Sequence, residues 1–123
     1  MAAVLDRMSV LIVEDEPFIA LDLASAVESA GGVVVGPAAT VREALALLQD
    51  APVRAALLDV NVGDGEVTPV ATALAARGTP IVFYCGHGIP AELQRSCPTA
   101  PVFLKPAPVQ KLVHELAGLM HRQ

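Results

Sequence analysis

Glu14, Asp15, Asp59, Cys85 and Lys105 are scattered along the chain, yet each follows a short apolar run. Ser9-Val10-Leu11-Ile12-Val13 leads into Glu14-Asp15-Glu16, and Ala55-Ala56-Leu57-Leu58 into Asp59. Pro80-Ile81-Val82-Phe83-Tyr84 leads into Cys85, and Pro101-Val102-Phe103-Leu104 into Lys105. Runs without polar alternation suit strands buried on both faces of a parallel sheet. Strands that point one way share a rim at their carboxyl ends, where open α/β sheets place their chemistry. Carboxylates gathered there repel one another and make ionisation costly. A divalent cation relieves that repulsion. The ligands would be all oxygen, with no Cys or His pair at metal spacing, which suits Mg²⁺. A carboxylate beside Mg²⁺ is equipped to attack phosphorus and form an aspartyl phosphate. Asp59 suits the nucleophile, Glu14 and Asp15 the cation, Lys105 a phosphoryl oxygen as a compact positive charge, and Cys85 another oxygen as a small donor.

The elements between these runs have to build that rim. Pro17 fits the first position of a helix, Ile19, Leu23, Val27 and Ala30 follow helical spacing, and Gly31-Gly32 stops it. Val33-Val34-Val35 reads as a short strand closed by Gly36-Pro37. Thr40 to Glu43 has capping-box spacing and opens a second helix, with Val41, Ala44, Leu45 and Leu48 on one face. Asn61 to Gly65 reads as loop. Thr68-Pro69 reads as cap and first position of a third helix, buried through Val70, Ala71, Leu74 and Ala75. Cys85-Gly86-His87-Gly88 reads as a turn and Pro90 to Cys97 as a short helix. Pro108 opens the last helix, with Val109, Leu112, Val113, Leu116 and Met120 inward. Five strands alternating with five helices predict an α/β, flavodoxin-like (βα)5 doubly wound parallel sheet with right-handed crossovers and strand order 2-1-3-4-5.

Composition narrows the function. At 123 residues the chain is expected to be one domain, residues 1–123, with a real core, and 54% hydrophobic residues argue against disorder. The net charge of -5, with Lys105 and Lys111 the only lysines, disfavours nucleic acid as a partner. There is no apolar run of membrane-spanning length and no signal-peptide pattern, so no membrane association and a cytoplasmic location are expected. Cys85 and Cys97 suggest neither a metal knuckle nor a disulfide scaffold.

The acidic pair Glu14-Asp15 after Val10-Leu11-Ile12-Val13, the Leu57-Leu58-Asp59 strand end, and Lys105-Pro106 after the fifth strand come in an order and spacing that resembles the receiver domain of two-component response regulators, over the whole chain. The resemblance implies that Asp59 is the phosphoacceptor and that Glu14, Asp15, Asp59 and the Asn61 backbone carbonyl hold Mg²⁺. It implies that Lys105 contacts the phosphoryl group, and that the donor is a phosphohistidine on a histidine kinase or a histidine phosphotransfer protein. There are two departures. Receivers usually carry Thr or Ser where Cys85 stands, and often Tyr or Phe where Val102 stands, so an atypical switch is expected.

Three functions compete. The first is a stand-alone receiver, a signalling domain rather than a turnover enzyme, limited to its own phosphorylation and dephosphorylation and acting by protein contact. The second is a phosphorylation-independent pseudo-receiver that serves as an interaction module, which Cys85 and Val102 favour. The third is an enzyme, either a phosphatase with an aspartyl intermediate or a flavin protein. It lacks a positioned general acid or base near Asp59, and 3% aromatics leave little for flavin stacking. Plainer roles exist for single residues. Asp59 could be a loop former, Glu14 to Glu16 could favour a helix N-terminus, and Cys85 could be a small buried hydrophobe. Cys97 reads as structural, His87, His114 and His121 as solvated, and Phe18-Ile19 as partly core.

Overall fold

The computed structural model describes residues 4–121. Its elements are β1 (Ser9–Val13), α1 (Pro17–Ser29), β2 (Val33–Ala38), α2 (Val41–Asp50), β3 (Ala55–Leu58), β4 (Asn61–Val62), β5 (Gly65–Glu66), α3 (Thr68–Ala76), β6 (Ile81–Cys85), α4 (Ala91–Ser96), β7 (Val102–Leu104) and α5 (Val109–His121). The main sheet is parallel with order β2-β1-β3-β6-β7, the expected topology once the small β4-β5 hairpin is set aside.

The apolar runs are unbroken because each central strand is covered twice. Successive strand residues face opposite sides. Val10, Ile12, Ala55, Leu57, Val82 and Tyr84 pack into one layer with Leu23 and Val27 of α1 and Leu112 and Leu116 of α5. Leu11, Val13, Ala56, Leu58, Phe83 and Cys85 pack into the other, with Ala44 and Leu48 of α2, Val70 and Leu74 of α3 and Leu93 of α4. Each fully buried Leu or Phe contributes roughly 1.5–3 kcal/mol of transfer free energy, so both faces fix the register.

Several boundaries differ from those read in the sequence. β2 does not stop at Gly36-Pro37 but runs on to Ala38. It lies at the sheet edge, where a proline leaves no ladder bond unmade. Leu11 pairs with Val35 and Val13 with Ala38, so the edge strand bulges by one residue. Gly36 sits in that bulge at φ +98°, and a Cβ there would meet the Ala38 amide nitrogen at 2.7 Å. The stretch after Asp59, expected as loop, forms the β4-β5 hairpin. Thr68 is the first residue of α3 rather than its cap, which is Val67. Cys85 completes β6 instead of opening the turn. Phe18, expected to be partly core, is 76% exposed.

Candidate functional site

Hydrogen bonds across the sheet continue one residue past the strand ends and set the site. The Glu14 amide donates to the Ala38 carbonyl at 2.9 Å, the Asp59 amide to Val13 at 2.9 Å, and the Lys105 amide to Cys85 at 2.8 Å. Together with the pairing of β3 with β6, these bonds hold the ends of β1, β3, β6 and β7 side by side. Glu14, Asp15 and Asp59 each present a carboxylate oxygen, and these oxygens lie within 4.8 Å of one another. Lys105 Nζ donates to Asp59 Oδ2 at 3.0 Å and stands 3.3 Å from Glu14 Oε1. The structure thus gathers four of the residues singled out in the sequence.

Among the described residues, Glu14 at 2% exposure and Asp59 at 7% are the only buried charged side chains. Burying a charge is costly without full compensation. Glu14 Oε2 accepts from the Glu16 amide at 3.1 Å, but Glu14 Oε1 has no hydrogen-bond partner and meets the Lys105 ammonium only as an ion pair at 3.3 Å. Burial pushes the Glu14 carboxyl up from 4.5 to about 7, and the Asp59 charge adds to the rise. The Glu16 amide and Lys105 pull the other way. Burial also works against the Lys105 charge, but the Asp59 hydrogen bond and the two carboxylates outweigh it and raise its pKa.

Three carboxylates share the rim with one ammonium, so with all three ionised the excess negative charge matches one divalent cation. An orphaned carboxylate oxygen within an all-oxygen donor set fits a hard cation such as Mg²⁺. Glu14, Asp15 and Asp59 are the side chains that would hold it. A groove of about 640 Å³ between α1 and α5 lies elsewhere and is lined by Ile19, Asp22, Tyr84, Val113 and His114 among others.

No family model and no curated protein matches the chain. Solved structures do. SdrG from Sphingomonas melonis Fr1 is 37% identical, with 98% of this chain and 99% of that one covered and a TM-score of 0.76. The response regulator PhyR from Brucella abortus is 30% identical over 98% of this chain, with a TM-score of 0.73; the chain spans about half of it, 52%. A CheY-like response regulator receiver domain protein from Methanospirillum hungatei JF-1 shares the fold at 22% identity and a TM-score of 0.81, with 94% of each chain covered. The chain belongs to the response regulator receiver family.

Three residues singled out in the sequence stand differently from the carboxylates and Lys105. Cys85 is 1% exposed and packs within the apolar layer that contains Leu58, Phe83 and Leu93, the environment of a small hydrophobe. Its backbone carbonyl, not its thiol, is what bonds Lys105. Asn61 is exposed at the start of the hairpin, two residues past Asp59. Val102 is exposed on the edge strand β7.

Sequence reasoning missed two residues that shape the rim. Asp64 accepts from the Val41 amide at 2.6 Å and the Arg42 amide at 3.1 Å, tying the hairpin to the start of α2. The Val41 bond, against desolvation and with help from the Arg42 amide, holds the Asp64 carboxyl below its ordinary value. Its place between Gly63 and Gly65 signalled a turn but not the helix it caps. Tyr84 lies with its ring centroid 5.2 Å from Lys105 Nζ. Nothing along the chain signals which side chain crosses over it.

Proposed function

We propose that the chain accepts a phosphoryl group on Asp59 from a phosphohistidine partner and signals by protein contact. A carboxylate oxygen of Asp59 forms a bond to phosphorus as the bond from phosphorus to the imidazole nitrogen breaks, and the departing imidazole takes up a proton. Glu14 and Asp15, with Asp59 and the Asn61 carbonyl, would hold Mg²⁺, which supplies positive charge against the transferring oxygens when bound. Lys105 stands within hydrogen-bond reach of the attacking group and can pass one of its three N–H donors to a phosphoryl oxygen. The reading rests above all on that cluster: a buried acceptor, a buried orphaned oxygen beside it, and one ammonium spanning both.

The partner side of the reading rests on α1, which begins directly after the acidic pair. Phe18 is 76% and Leu21 64% exposed, so the helix offers apolar contact next to the rim. A histidine kinase or histidine phosphotransfer protein would dock there. Among the described residues no helix is long and apolar enough to cross a membrane.

A phosphorylation-independent pseudo-receiver is the second reading, favoured by the buried Cys85 thiol and by Val102 in place of an aromatic. With a small phosphodonor and Mg²⁺, intact-mass measurement should show one added phosphoryl group on the wild type and none on Asp59→Asn. Equal uptake by both chains would refute the assignment. Amide shifts at Glu14, Asp15 and Asp59 on Mg²⁺ titration, with no phosphoryl uptake, would favour a cation-binding pseudo-receiver instead.

A further inference from the structure

We infer that Tyr84 is a positioning residue whose ring face holds the Lys105 ammonium over the carboxylate cup. The inference rests on the reading of Lys105 as the phosphoryl contact. Tyr84 is the penultimate residue of β6, pairs in register with Phe103 and is buried in the layer facing α1 and α5. Lys105 Nζ lies 5.2 Å from its ring centroid, within the range where a ring quadrupole attracts a cation. The Tyr84 hydroxyl donates to the Ala107 carbonyl at 3.4 Å, so the ring touches both the tip of Lys105 and the backbone two residues beyond it. The ammonium is therefore bracketed, with Asp59 and Glu14 on one side and the negative face of an aromatic ring on another.

The bracket matters because a lysine side chain has many rotamers and a strongly hydrated head. Asp59 alone holds Lys105 by a hydrogen bond, and that carboxylate is the group that reacts. When its oxygen turns to phosphorus, the ring still holds the ammonium at the rim. An aliphatic side chain at this position fills the space but has no negative face to offer.

The test uses the full chain and two readouts. Lys105 and Lys111 are the only lysines, so selective lysine labelling gives two sets of side-chain signals. In the wild type and in Tyr84→Phe, the Lys105 Cε protons should lie upfield of those of Lys111 through the ring current. In Tyr84→Met they should move to the Lys111 position. Phosphorylation by phosphoramidate with Mg²⁺ should slow by about tenfold in Tyr84→Met and stay within about twofold in Tyr84→Phe. In a Lys105→Ala background, Tyr84→Met should slow it no further. Coincident lysine signals in the wild type would overturn the inference, and this readout needs no variant to fold. Equal slowing with and without Lys105 would overturn it too. The lysine signals also decide the contact in a chain that takes up no phosphoryl group, so loss of the phosphoacceptor reading is separable from loss of this one.

Discussion

At Glu14, burial and charge are in conflict. Its carboxyl sits at about 7 in the folded protein, against 4.5 ordinarily, and burial is the largest cause. Between those values the folded chain binds a proton that the unfolded chain has released, so stability falls as pH rises through that window. Metal-free wild type should therefore lose stability between about pH 4.5 and about pH 7, and Glu14→Gln, which cannot ionise, should lose less. Added Mg²⁺ at the higher pH should restore the wild type far more than the variant. Denaturant midpoints followed by circular dichroism check this, and parallel pH profiles for the two chains would contradict it. Asp64 has the opposite sign. Its carboxyl is held below its ordinary 3.8 by the Val41 amide, so its contribution is present at neutral pH and is lost as pH falls through its lowered value. Asp64→Asn should be less stable than wild type at neutral pH, and the difference should vanish in strong acid.

β3 carries both stability and the site. β3 has four residues, all buried, and its end positions Asp59. Leu57→Ala should cost about 2–5 kcal/mol through lost burial and the cavity left behind, measurable by urea unfolding. The same element scale shows why some boundaries were legible and others not. β1, β3 and the helices α1, α2 and α5 announce themselves because their apolar spacing repeats over enough residues to outweigh local exceptions. β2 beyond Gly36 does not, since Gly-Pro reads as a break and only its edge position permits the strand to continue. The β4-β5 hairpin has two residues per strand, too few for any period to show. Cys85 fell on the turn side because the ladder bond from Lys105 that extends β6 is a contact across the sheet, invisible along the chain.

For the molecule as a whole, the doubly covered sheet collects charged residues far apart in sequence at one rim and buries two of them, Glu14 and Asp59, while Asp15 stays exposed. That gathering was legible, because topology and strand direction alone bring Glu14, Asp15, Asp59 and Lys105 to one rim. The depth of Glu14, the orphaned oxygen, the exposure of Phe18 and the ring beneath Lys105 were not, since each depends on side-chain packing rather than on pattern. The proposed function requires that this rim make Asp59 a cation-dependent phosphoacceptor. The most direct measurement is borohydride reduction after treatment with a phosphodonor, followed by peptide mass spectrometry, because reduction turns an aspartyl phosphate into homoserine. Homoserine at position 59 with Mg²⁺ present, and its loss when the ion is chelated, is the result predicted. Homoserine at another aspartate, a reduced glutamate, or an unchanged Asp59 in a chain shown to bind Mg²⁺, would contradict it.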